Sequence, residues 1–200
     1  MSVTKLARRF ALIAALSGTV LTTASTAASA IGSAPAAKSL TDQQLLSVVK
    51  HLDFAPAGFY TSAHRATVRP LPAGGACGDV QPASTQAMTF ATSKQWTVTV
   101  AINQMKDAAT AAKAYHSMIM HIHQCKGSIV GWPLGLPYNV RSITQISHGK
   151  VLRATLVTVE GNALVFSQLQ HPGKWTAHDL WVEHRALHMA VAAYRSAIRA

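Results

Sequence analysis

The sequence predicts an α+β domain in which helices pack on an antiparallel sheet, behind a removable leader. Three observations carry this. Short runs of alternating apolar and polar residues are separated by turn signals, three stretches show helical periodicity behind a capping residue or box, and the opening segment has the anatomy of a secretory signal peptide.

In residues 1–30, Lys5, Arg8 and Arg9 form a positive start, and 10–21 is apolar but short for a bilayer span. Ala28-Ser29-Ala30 is a small-residue cleavage pattern, so cleavage is expected after Ala30. Arg8-Arg9 before Phe10 fits a twin-arginine signal only loosely, which leaves the export route open. The leader offers no lipid-anchor cysteine, and no later stretch is apolar and long enough to span a bilayer. The expected product is secreted or held in the cell envelope without a transmembrane anchor.

Residues 31–39 are rich in Ala, Ser and Gly and read as a flexible lead into a domain over 40–200. Thr41 with Gln44 forms a capping box, and Leu45, Val48, Val49 and Leu52 place one apolar face on the helix it starts. Pro56 and Gly58 close that helix, and the prolines and glycines of 70–78 predict an irregular run up to Cys77. A strand over 86–92 and a turn at Ser93-Lys94 lead into a second strand, where Trp96, Val98, Val100 and Ile102 alternate with Thr97, Thr99 and Ala101. The pattern breaks over 103–106. Asp107 is then the expected N-cap of a helix running to 126, with an apolar stripe of Ala108, Ala111, Ala112, Tyr115, Met118, Ile119, Ile122 and Cys125. Lys126-Gly127 suits its C-terminus.

After an irregular loop over 131–138, strands are predicted at 140–147, 151–159 and 163–169. Gly161-Asn162 is a two-residue hairpin turn with glycine first, which pairs Glu160 with Ala163, Val159 with Leu164 and Val157 with Phe166. Thr176 with Asp179 opens a closing helix whose expected apolar face is Leu180, Leu187, Val191, Tyr194 and Ile198.

The chain has two cysteines, Cys77 and Cys125, and export favours an oxidised pair. Closing that loop stabilises by roughly 4 kcal/mol on the chain-entropy argument; two free buried thiols are the alternative. Eighteen Lys and Arg against seven Asp and Glu give +11, and loss of Lys5, Arg8 and Arg9 leaves +8. Such a surface favours anionic partners, among them lipid head groups, cell-wall polyanions and acidic proteins, while the basic stripe and groove-entering element of a nucleic-acid binder are not found. No cofactor is expected.

The order of elements, with W-x-V-x-V at Trp96, Q-C-K-G at Gln124 and V-E-G-N-A-L-V at Val159, resembles the PknH-like extracellular sensor domains of actinobacterial exported proteins. The resemblance covers about 40–200. It implies an extracytoplasmic, non-enzymatic sensor or ligand-binding domain with a cleft, and brings no catalytic residue with it. The sequence places that cleft beside the 131–138 loop, where Trp132 and Tyr138 offer stacking surfaces and Lys126 and Arg141 favour an anionic or lipid-like ligand.

The residues offer two other chemistries. His116, Met120 and His123 share one sector of the central helix and His184 and His188 stand one turn apart on the last, a donor set for copper or zinc if the two helices lie side by side. A secreted hydrolase would have to assemble a dispersed site from Asp79, Asp179, Glu160 and Glu183, since Ser128 lies in no nucleophile-elbow motif. Intact mass of the exported product, before and after reduction, checks the covalent expectations: a chain starting at Ile31 that gains two protons on reduction is expected, and two free thiols would refute the staple.

Overall fold

The computed structural model describes residues 38–54, 66–74, 81–92, 96–124, 127–131, 139–148, 150–171 and 175–200, the side chain at 123 excepted. All of them belong to the unit Pro35–Ala200. The leader, Cys77, Cys125, the Ser93-Lys94 turn, Asp79, Lys126, Trp132 and Tyr138 lie outside the described residues.

Helix α1 (Asp42–Lys50) starts at the capping box expected of Thr41 and Gln44, with both reciprocal bonds formed. Strands β1 (Thr67–Leu71), β2 (Ser84–Thr92) and β3 (Thr97–Gln104) follow. Helix α2 (Ala108–His121) is capped by Asp107, whose carboxylate accepts from the Thr110 N–H, and ends in a 3-10 turn, Ile122–Gln124. Then come β4 (Ser128–Gly131), β5 (Arg141–Ser147), β6 (Lys150–Glu160), β7 (Ala163–Gln170) and α3 (Ala177–Arg199), the last opened by the Thr176 and Asp179 box. The seven strands form one antiparallel sheet in the order β1-β2-β3-β7-β6-β5-β4. It is two meanders, β1 to β3 and β4 to β7, joined where β3 pairs with β7.

The register set by Gly161-Asn162 holds: Glu160 pairs with Ala163, Val159 with Leu164 and Val157 with Phe166. Gly161 alone of the two turn residues has positive φ, at 54°, as a glycine-first turn requires. Side chains then divide between the two faces of the sheet. Val98, Val100, Ile102, Leu156, Val165 and Leu169 pack with Leu45 and Val49 of α1 and Val182, Ala186, Leu187, Ala190 and Tyr194 of α3. On the other face Leu164, Val159 and Phe166 meet Ala111, Ala114 and Tyr115 of α2.

Several expectations are corrected. Residues 67–71 form a strand in spite of Pro70, because β1 is an edge and the missing N–H can face away from the ladder. The strand starting near Trp96 runs on to Gln104, since Gln104 keeps the alternation by turning its amide into a buried hydrogen-bonded position. Residues 128–131 form β4, too short for periodicity to reveal; Gly127 before it has φ 77°, and a Cβ there would run into the Ile146 carbonyl oxygen. Helix α2 stops at His121 rather than 126, and its buried residues are Ala111, Ala114 and Met118, with Ala108 and Ala112 exposed. On α3, Leu180 is exposed and the sheet side is instead filled by Val182, Ala186 and Ala190, small enough for the helix to lie close.

One buried polar cluster ties these elements together. Gln104 at the end of β3 exchanges two bonds with the backbone of Leu40, accepting from its N–H at 2.9 Å and donating to its carbonyl at 2.8 Å. The Tyr194 hydroxyl of α3 lies 2.7 Å from Asn162 Oδ1 and 3.1 Å from Gln104 Oε1, and its single proton serves the nearer acceptor. Asn162 Nδ2 donates to the Met105 carbonyl at 3.0 Å, and the Met105 N–H returns a bond to the Asn162 carbonyl at 2.8 Å.

Glu183 is a further buried polar group of α3, 1% exposed, and its Oε1 has no hydrogen-bond partner among the described residues. Burial pushes its carboxyl up to about 8, against a backbone hydrogen bond at Leu156 that works in the opposite direction.

Two outcomes follow from this packing. Tyr194→Phe removes the donor to the buried Asn162 Oδ1 and should cost about 1–3 kcal/mol in urea unfolding, with the fold retained. For Glu183 the folded value exceeds the unfolded one, so the unfolded chain releases the proton first as pH rises. Stability is therefore full below the ordinary carboxylate range and falls until about pH 8, by up to about 5 kcal/mol. Glu183→Gln should match the parent at low pH and exceed it above neutrality; parallel pH profiles for the two proteins would contradict the assignment.

Candidate functional site

Helix α3 packs on β7, β6 and β3, and a cleft opens along its flank. Residues His184, His188, Val191 and Arg195 repeat at helical spacing on one ridge, and Leu187 lies beneath it. Opposite them are Asn139 and Val140 at the entry to β5, and Thr158 and Glu160 near the end of β6. Together these enclose about 90 Å³, room for a group of roughly three water volumes. The floor is apolar, with Val140 and Leu187 buried and Val191 half-buried.

The rim is polar and already organised. Asn139 Nδ2 donates to Thr158 Oγ1 at 3.0 Å, and the Asn139 carbonyl accepts from the Tyr115 hydroxyl of α2 at 2.6 Å. Asn139 is thus held from both faces of the sheet. At the far end Arg195 meets Glu160 through two hydrogen bonds, Nε to Oε1 at 2.8 Å and Nη2 to Oε2 at 2.6 Å, a paired planar contact that fixes both side chains. Desolvation, and then the nearby His188, lower the His184 imidazole below its usual value, so it is uncharged at neutral pH. The site therefore offers an apolar floor, a neutral imidazole, an amide and hydroxyl pair, and a guanidinium whose charge is matched by one carboxylate.

The residues singled out from sequence divide as follows. His184 and His188 line the cleft. Arg141 opens β5 opposite Val157, one residue beyond Val140, where its charge is felt by Tyr115 of α2; it is not among the cleft residues. Lys126, Trp132 and Tyr138, the expected binding rim, lie outside the described residues, as does the Cys77 and Cys125 pair. On α2, His116 and Met120 are exposed, Met120 by 53%, and the His123 side chain is not described. Because α2 and α3 pack on opposite faces of the sheet, His116 and Met120 are not brought together with His184 and His188, and among the described residues no three of His, Cys, Asp and Glu converge as metal ligands.

The acids have other engagements. Asp179 Oδ2 accepts from both the N–H and the hydroxyl of Thr176, Glu160 is held by Arg195, and Glu183 lies beneath α3. Sequence reasoning missed Asn139, Thr158 and Arg195. The spacing of 184, 188, 191 and 195 was a usable signal for one helix ridge, but what faces that ridge depends on the β5 to β6 pairing.

No helix among the described residues is long and apolar enough to cross a membrane. No family model matches the chain, and no curated protein does. Among solved structures, the crystal structure of the extracellular domain of PknH from Mycobacterium tuberculosis is similar, with a TM-score of 0.45 and 10% identity over 77% of this chain and 98% of that one.

Proposed function

We propose that the chain is an exported, non-enzymatic binding domain of sensor type whose ligand enters the cleft between α3 and the β5 to β6 edge. The observation that carries this reading is the cleft itself, an apolar floor of Val140, Leu187 and Val191 under a rim that is hydrogen-bonded before any ligand arrives. Preorganised polar groups around a small apolar hollow select a ligand by shape and by one or two directed bonds. The engagement of Glu160, Asp179 and Glu183 in structural roles favours binding over acid-base chemistry. The signal-peptide pattern of residues 1–30 supports an extracytoplasmic place of action.

The ligand class that fits is a small amphiphile, a short apolar group with an anionic or hydrogen-bonding head. The apolar part occupies the floor. The head reaches Arg195, in competition with Glu160, or the imidazole of His184. Titration of the labelled protein with hexanoate and hexyl phosphate tests this by amide shifts. Shifts centred on Thr158, Leu187 and Val191 are expected, and Val191→Trp, which fills the hollow, should abolish them. Shifts confined to surfaces away from the cleft would remove the reading, and turnover lost on changing His184 or His188 would replace it with catalysis.

A further inference from the structure

The end of the sheet opposite the Asn162 turn carries an unusual surface. There β3 begins, β7 ends and β6 starts, and Trp96, His171, Trp175, His178 and Trp181 form a chain of ring contacts between 5.4 and 6.2 Å apart. Trp175 Nε1 donates to the Val151 carbonyl at 3.1 Å, which brings the start of α3 against the start of β6. Around this ladder three large apolar side chains stand in water: Leu152 is 46%, Leu180 56% and Trp181 48% exposed. Arg185 lies over the Trp181 ring at 5.6 Å, and Lys150 and Arg153 are exposed near the start of β6.

The distribution of acids sharpens the picture. Helix α3 has two, Asp179 and Glu183, and both are turned inward and buried. Its outward face through the first turns presents only apolar, histidine and arginine side chains. Glu160 is at the other end of β6 and is bound to Arg195. Asp42 and Asp107 belong to the end where β3 finishes, and Asp53 follows α1 at the β1 to β3 flank. No described acid other than Asp53 is left to face the Trp181 end.

We infer that this end docks on an anionic lipid surface, with Leu152, Leu180 and Trp181 entering the head-group layer and Lys150, Arg153 and Arg185 meeting lipid phosphates. Exposed Trp and Leu beside cations suit the interface of a bilayer: the indole sits at head-group depth and long cationic chains reach back to the charge. The surface is distinct from the cleft and does not depend on its ligand.

Flotation of the purified protein with vesicles tests this directly. Binding to vesicles enriched in phosphatidylglycerol is expected, with weak binding to phosphatidylcholine alone and loss at high salt. Brominated acyl chains should quench the tryptophan fluorescence of the parent more than that of Trp181→Ser. Leu180→Ser with Trp181→Ser should lower binding at least about tenfold, and Arg185→Gln about fivefold. Met120→Ser, which removes an exposed apolar group on the other face, and Val191→Trp, which fills the cleft, should leave binding unchanged; thermal melting verifies that each variant is folded. Undiminished binding by the double variant overturns the inference. So does capture by soluble polyglutamate as strong as by vesicles without quenching, which assigns the patch to an acidic protein.

Discussion

The buried contact of Tyr194 with Asn162 and Gln104 is the constraint on which the arrangement turns. Apolar packing alone is non-directional, and an alanine-rich helix such as α3 could slide along the sheet with little change in buried area. A hydroxyl that must find one acceptor under the sheet cannot, because an unpartnered polar group there costs more than a shifted methyl. The same cluster fastens Leu40 before α1, Met105 after β3 and the turn between β6 and β7. Positions far apart in sequence are thereby fixed at one end of the sheet, and the ridge from His184 to Arg195 is placed over β6 as a result.

Periodicity reports which side chains of one element face the same way, and at that level the sequence was informative. The alternation from Trp96, the caps at Thr41, Asp107 and Thr176, and the register around Gly161 could all be read because each is a local rule. What each face meets is not local. Tertiary packing chose Ala114 over Ala112 on α2, where both are small and either could have been buried, and left Leu180 in water. Strand β1 was hidden by its proline and β4 by its length. The cleft is half legible: His184 and His188 stand out as a pair one helical turn apart, but Glu160 and Arg195, 35 positions apart, become partners only after β6 and α3 cross.

Helix α3 reverses the usual economy of an amphipathic helix. Both of its carboxylates point toward the sheet, one spent on the helix's own first turn and the other held without a counter-charge. Its water-facing side is left with histidines, arginines, Leu180 and Trp181. A chain with only seven acids can segregate charge in this way without any basic run in its sequence. The cleft and the Trp181 end then lie along one helix, so movement of α3 relative to β6 would be felt at both.

The seam between β3 and β7 has a kinetic consequence. Each meander is assembled from strands that neighbour one another in the chain, β1 to β3 on one side and β4 to β7 on the other. Their union pairs Thr97 with Gln170, 73 positions apart in the chain. The entropic cost of long-range closure is concentrated in that one step. Until it occurs, both halves carry an open edge strand of alternating apolar residues, the form in which chains most readily pair with their own copies. That interval is the point at which folding yield is decided, and substitutions along Val98, Val100 and Val165 would be felt there before they were felt in the finished fold.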